Sequence, residues 1–297
     1  MGKIKKKKLS LIEEQLKLFI NSLKNRSIET SGTYERSLRE FAKWFKGSKI
    51  NKIQLLVADV ERYKKYLTSH KKLAPLSVST YLTALRQFYN YLTNNGITTE
   101  NPTSKVKVYS KPKFHTRATI SQKEIELYLN SITKTDERGY RDFAFSKLIL
   151  SSGLHEIELV RANIGDYKNI NSHSVLFVQG KGKKNKDSSV EIQNDVKEAL
   201  ENYLTYRRFA LDNEPLFMSA GNRTRGKRMT SRGIRERINM YLKLAGLKKN
   251  KNVKISPFSL RHTAARNFAS NGMPPDELQK RFRIGKLKTA MLYYSKN

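Results

Sequence analysis

Ser256-Pro257-Phe258-Ser259-Leu260-Arg261-His262-Thr263-Ala264-Ala265-Arg266, then Lys288-Thr289-Ala290-Met291-Leu292-Tyr293-Tyr294, is the stretch that decides the reading of this chain. Its first half places an arginine at the opening of a helix. Its second half sets Thr289 and Tyr293 four residues apart, on one face of a late helix. An arginine can neutralise a phosphate through its planar, bidentate fork. A tyrosine oxygen can attack phosphorus once its proton, held with a pKa near 10 in water, is removed or its anion stabilised. The pair is what metal-free attack on a DNA phosphodiester asks of side chains.

The composition points to the same partner. Lys and Arg number 59 against 26 Asp and Glu, a net charge of +33 over 297 residues. Such an excess calls for a polyanion, either nucleic acid or an anionic membrane surface. No apolar run approaches the ~20 residues of a membrane span, and the basic residues are spread through helical segments, so double-stranded DNA is the expected partner and no membrane is. Met1 to Lys8 (MGKIKKKK) reads as a basic arm rather than a signal peptide, since no apolar stretch with a small-residue cleavage site follows. Cysteine is absent, which excludes disulfides and thiolate metal sites. His70, His115, His155, His173 and His262 show no metal-ligand spacing. The expectation is a soluble, cytoplasmic, nucleoid-associated protein without metal or other cofactor.

Outward from the C-terminal block, the chain divides into an arm at 1–9, a helical domain at 10–100, a basic linker at 101–118 and a second domain at 119–297. In the first domain, Ser10 to Glu13 reads as a capping box ahead of Leu16, Phe19, Ile20 and Leu23. Tyr34, Leu38, Phe41 and Phe45 form a second stripe, and Val60, Tyr63 and Leu67 a third. Val78, Tyr81, Leu82, Leu85, Phe88, Tyr89 and Leu92 mark one face of a long helix, with Gly96 as its stop. Asn101 to Arg117 lacks periodicity and contains Pro102, Pro112 and four lysines, the composition of a linker or solvated tether.

The second domain opens with a capping box at Ser121–Glu124. An apolar helix over Phe143 to Leu150 ends in Ser151-Ser152-Gly153. Ser174 to Val178 and Ser189 to Ile192 flank Gln179-Gly180-Lys181-Gly182-Lys183-Lys184-Asn185-Lys186, a hairpin around a basic turn. Further helices are expected near 194–208, 230–244, 258–271 and 275–283. Between Arg223 and Lys254 stand twelve lysines and arginines against the single acid Glu236. Arg223, Arg225, Lys227, Arg228, Arg232 and Arg235, with Lys183 and Lys184 of the hairpin, are the candidate DNA contacts, suited to tracking phosphates. A solvated charged face is the bland alternative.

Taken together, the helical first domain, the linker and the ordered boxes of the second resemble the tyrosine recombinases (phage integrases and Xer-type recombinases) along the whole chain. The resemblance implies a mainly α, α+β fold: a helical core-binding domain, then a mixed catalytic domain with a small β-sheet. It implies Tyr293 as nucleophile with Tyr294 as competitor, Arg261 as the second catalytic arginine, Lys181 as general acid and Glu158 as a supporting acid. It also exposes departures. His155 stands where the family has its first arginine, Phe258 where it has a histidine, and Lys286 where a later histidine is usual, with a shorter stretch from there to Tyr293. Two functions follow. One is a recombinase that cuts and rejoins DNA through a 3′-phosphotyrosyl link without ATP or metal. The other is a DNA-binding or architectural protein on the same scaffold with impaired chemistry. An RNA-binding role is disfavoured, as no module with exposed stacking aromatics is present. A homo-oligomer, dimer to tetramer, is expected on DNA; with few residues after Tyr293 in this sequence, subunit exchange would use another element, or coupling between subunits is weak.

Overall fold

Apolar residues spaced three and four apart give each helix of the first unit one inward face. In the computed structural model these helices are α1 (Gly2–Ser22), α2 (Ile28–Gly47), α3 (Val57–Lys65) and α4 (Pro75–Asn94). The structure describes the chain except residues 1, 24, 25, 27, 51, 111–117, 181, 222, 250–253 and 295–297, and the side chains of 2–10, 28 and 29. Two compact units divide it, Met1–Lys111 and Pro112–Asn297.

In the first unit the stripes named above become one core. Phe41, Tyr63, Val78, Leu85, Phe88 and Tyr89 are fully enclosed. Burying a side chain of this size contributes about 1.5–3 kcal/mol. The rings meet edge to face, Phe41 on Tyr63 at 5.3 Å, the preferred geometry for aromatic pairs. The Tyr89 hydroxyl is satisfied by the Ile53 carbonyl at 2.8 Å. Pro75 begins α4, where its missing N–H costs nothing. Gly96 ends it in the left-handed conformation, φ 69°.

Three features depart from the sequence reading. Helix α1 starts at Gly2, well before the capping box read at Ser10, so Lys3 to Lys8 belong to its backbone. A π-helical turn, Tyr66–His70, extends α3. Asn101 to Val106, expected in the linker, pack onto α4: Val106 and Thr103 are buried, and the Arg86 guanidinium donates to both their carbonyls at 3.1 and 3.0 Å.

The second unit begins with α5 (Gln122–Asn130), capped by Ser121 and Glu124 as the sequence indicates. Helix α6 (Glu137–Ser152) is capped by Asp136 and stops at Gly153. Then come α7 (Glu156–Arg161) and a three-stranded antiparallel sheet, β1 (Tyr167–Ile170), β2 (His173–Val178) and β3 (Ser188–Ile192), in that order. The expected hairpin is β2–β3, with Val178 opposite Ser188; β1 was not read from the sequence. Helices α8 (Asn194–Leu204), α9 (Ser231–Leu244), α10 (Pro257–Ser270), α11 (Pro275–Arg281) and α12 (Leu287–Met291) complete it. Tyr128, Phe145, Leu148, Leu176, Leu200, Phe217, Ile238 and Leu260 form the core. A smaller cluster of Ala264, Ala265, Leu278, Phe282, Ala290 and Tyr293 joins α10, α11 and α12.

Candidate active site

Small residues let α10 sit deep. Arg261, His262, Thr263, Ala264 and Ala265 are all buried, an unusual run for a segment with two ionisable side chains. Thr263 fixes the helix to the start of the domain, its hydroxyl accepting from the Ile120 N–H at 2.9 Å and donating to Ser259.

The Arg261 guanidinium donates to the carbonyls of Gly153 and Phe282, and lies 3.7 Å from the Glu158 carboxylate. The Gly153 carbonyl can serve Arg261 because α6 ends there, with φ 58°, and the helix makes no use of it. A Cβ there would stand 2.0 Å from the Phe282 ring. Burial pushes the Arg261 pKa below the usual arginine value, with Glu158 opposing.

Glu158 is itself enclosed. Burial raises its carboxyl, but the hydrogen bonds and charge of Arg283, with Arg261, outweigh that and hold it below the usual carboxylate range. Arg283 grips both carboxylate oxygens, Nε to Oε1 at 2.6 Å and Nη2 to Oε2 at 2.8 Å. The His155 N–H adds a bond at 2.8 Å, which caps α7. An enclosed acid with two arginines is the arrangement in which buried charge survives.

Tyr293 follows α12 and is 6% exposed. Its carbonyl accepts from Arg266 at 2.7 Å. Its hydroxyl is hydrogen-bonded to His262 Nδ1 at 2.8 Å. Burial pushes the Tyr293 hydroxyl up to about 12, and the charge of Arg261 pulls it back. Tyr294 differs: its hydroxyl donates to the Met273 carbonyl, and burial, then Asp276 and Glu277, raise its pKa. The acids that surround Tyr294 would repel a phosphate; the arginine beside Tyr293 would attract one.

His155 is half-buried at the head of α7. Its Nδ1 lies 2.9 Å from Glu156 Oε2, a close contact that is an ion pair only when the imidazole is protonated and that lacks the alignment of a hydrogen bond. Its ring faces Phe258 at 5.6 Å, and Phe258 meets His262 edge-on at 4.5 Å. Burial raises Glu156, but His155 and then Arg235 bring it below the usual carboxylate value. Lys286 is exposed at the cap of α12 and takes no part in the hydrogen bonds among Arg261, Glu158 and Tyr293. Lys181 lies outside the described residues, although its turn is held by Gln179, which donates to the carbonyls of Lys183 and Lys184 at 2.8 and 2.9 Å.

The basic stretch is divided. Arg223, Arg225, Lys227, Arg235, Lys183 and Lys184 are exposed, with Lys183 2.9 Å from Asp187. Arg232 is exposed and paired with Glu236 at 2.7 Å. Arg228 corrects the sequence reading: its guanidinium is spent inside, on the Val160 and Ala162 carbonyls and on Asn163 at 2.7–3.0 Å. The parts played by His262, Arg266 and Arg283 were not read from the sequence. For His262 its adjacency to Arg261 was the available signal; for Arg266 and Arg283 no spacing rule pointed to their partners. Among the described residues no cluster of three or more His, Asp or Glu could hold a metal ion, and no helix is long and apolar enough to cross a membrane.

Residues 118–297 match the model of the phage integrase family, and 11–108 match the phage integrase SAM-like domain. The chain belongs to the phage integrase family. Among its curated relatives, the tyrosine recombinase XerC of Leptospira interrogans is 29% identical over 292 residues, covering 96% of this chain and 89% of the relative. The tyrosine recombinase XerD of Staphylococcus haemolyticus is 26% identical over 288 residues, covering 96% and 93%. The fold of this integrase-family chain matches XerH site-specific recombinase bound to a palindromic difH substrate (TM-score 0.71, 19% identity, 94% and 80% covered). It also matches a lambda integrase dimer bound to a COC′ core site (TM-score 0.72, 13% identity, 95% of each chain). Mainly helical structure with one small antiparallel sheet is thus the family fold.

Proposed function

We propose that this protein is a site-specific DNA recombinase that uses Tyr293 as nucleophile. The observation that supports the reading best is the placement of the Tyr293 hydroxyl in the field of buried Arg261, on a chain segment fixed by Arg266. Attack forms a phosphorus–Oη bond and releases the 5′ oxygen, leaving a 3′-phosphotyrosyl link that a second DNA strand resolves. The link conserves the energy of the broken bond, so the reaction needs no ATP. Arg261 and Arg283 supply fixed positive charge for the phosphate oxygens, with Glu158 holding both guanidinium groups in place. Preorganised donors of this kind are worth on the order of 3 kcal/mol each in the transition state. Lys181 takes the role of general acid to the 5′ oxygen. Arg223, Arg225, Lys227, Arg235, Lys183 and Lys184 track the duplex backbone, giving affinity that falls steeply with salt. Two to four copies act together on the DNA, at the nucleoid.

A second reading has its own support. Phe258 offers no donor, and Glu156 beside His155 offsets the charge that position would bring to a phosphate. On that reading the chain binds DNA and cleaves slowly or not at all.

One experiment separates them. Duplexes bound by the full chain are recovered from a randomised pool and rebuilt as nicked suicide substrates, and covalent adduct is trapped. A working recombinase gives adduct with the native chain and none with Tyr293→Phe. Tight binding without adduct on every recovered site establishes the binding-only reading.

A further inference from the structure

The recombinase reading leaves one step unassigned: where the Tyr293 proton goes. Tyrosine attacks phosphorus well only as its proton departs. Phe258, on the same face of α10 one turn earlier, carries no atom that could take it. His262 does. Its Nδ1 is 2.8 Å from the Tyr293 hydroxyl, within the reach a general base needs. Both residues are buried, His262 at 4% exposure, so water does not compete freely for the proton.

The surroundings suit a transfer. The Phe258 ring stands perpendicular to the imidazole at 4.5 Å and walls it off from His155. The Tyr293 ring lies 5.5 Å away on the other side. Among the described residues, charged groups near the pair include Arg261 and Arg266 of α10 and, beyond Phe258, His155 with Glu156 at the head of α7. Arg261 favours the anion that the transfer creates on Tyr293.

Resting on the recombinase reading, we propose that His262 is the general base of strand cleavage, a catalytic residue that accepts the Tyr293 hydroxyl proton on Nδ1. With its own proton on Nε2, the neutral ring becomes an imidazolium as the phosphorus–Oη bond forms. The P–O5′ bond breaks, and the 5′ oxygen takes a proton from Lys181. In the rejoining half the steps reverse: the attacking 5′ hydroxyl gives its proton to Lys181, and His262 returns its proton to Oη as Tyr293 leaves.

The test is single-turnover cleavage of the recovered nicked duplex across a pH series, by the full native chain and by His262→Asn. The asparagine amide can hold the tyrosine hydroxyl but cannot take its proton. Cleavage by the variant should be slower by about 10²–10⁴-fold near neutral pH. The slope of rate against pH on the acid side should change, and rate should recover as pH approaches the tyrosine's own ionisation. DNA affinity and thermal unfolding should stay close to native. Native or faster cleavage would show that His262 merely clamps Tyr293 and would overturn the proposal. So would a slower rate with an unaltered pH profile, the mark of a purely structural role. A second measurement needs no DNA: the ¹⁵N resonances of the His262 ring should shift on Tyr293→Phe, and unmoved resonances would count against a shared proton. Absence of adduct from the native chain would sink the recombinase reading itself, a result distinct from a His262 variant that cleaves normally.

Discussion

The two units bury different things. The core of the first is aromatic and aliphatic, with Phe41, Tyr63, Leu85, Phe88 and Tyr89 closing on one another and a buried hydroxyl handed to the backbone. The second also encloses Glu158 of α7 and Arg261 and His262 of α10, at positions that could have been apolar. Enclosed charges cost desolvation that their mutual attraction rarely exceeds. The first core is therefore explained by stability, and the second site is not. Residues kept where packing alone would not select them are the ones to ask about chemistry.

The contrast can be broken experimentally because Trp44, the chain's one tryptophan, lies in the first unit, 5.0 Å from Tyr63. Its fluorescence follows the unfolding of that unit, while circular dichroism follows both. The largest effect is expected from Glu158→Ala, which strands two arginines: about 3–5 kcal/mol lost from the second unit, together with DNA cleavage, and no change in the Trp44 transition. Should Trp44 report the loss as well, the units unfold as one and the contrast fails. Leu85→Ala is the mirror image, about 2–5 kcal/mol, seen by Trp44, with the Tyr293 hydroxyl's surroundings intact.

Gly153→Ala comes next, at about 1–3 kcal/mol from overpacking against Phe282, measured by urea unfolding in circular dichroism, and with slower cleavage because the Arg261 partner carbonyl moves. Acid sharpens the comparison further. Glu158 has a folded pKa below its unfolded one, so its contribution is present above about pH 4.3 and is lost as pH falls through the folded value. Unfolding at pH 7 and at pH 3 should show the second unit losing stability that Glu158→Gln no longer has to lose. The smallest effect belongs to Tyr294→Phe. It removes one hydrogen bond to Met273, worth about 1 kcal/mol, and should leave the adduct yield as it was. A loss of adduct there would move the nucleophile by one residue.

Much of this was legible in the sequence where local rules act alone. The seven-residue stripe of α4, the capping box of α5 and the hairpin β2–β3 follow from periodicity and turn residues. Strand β1 was not, because Tyr-Lys-Asn-Ile is short and largely exposed, with no alternation to betray it. Arg228 looked like its basic neighbours, and only the fold could turn its guanidinium onto the Val160 and Ala162 carbonyls. The same holds for the site. Arg261, Glu158 and Tyr293 came through resemblance, whereas the meeting of His262 with Tyr293 depends on how the chain returns from α12 to α10, a contact spanning thirty-one residues that no spacing rule encodes.

Gly153 has a practical consequence. At one carbon the chain stops α6, makes room for Phe282 and offers Arg261 an acceptor. Three elements thereby share a single origin of register. A residue inserted between Ser152 and Leu154 would shift helix, ring and guanidinium together, so length there is not adjustable. The turn at Asn171 and Ser172, exposed between β1 and β2, carries no such duty. Tags, spectroscopic labels or grafted loops belong there, where the chain can lengthen without the site being rebuilt.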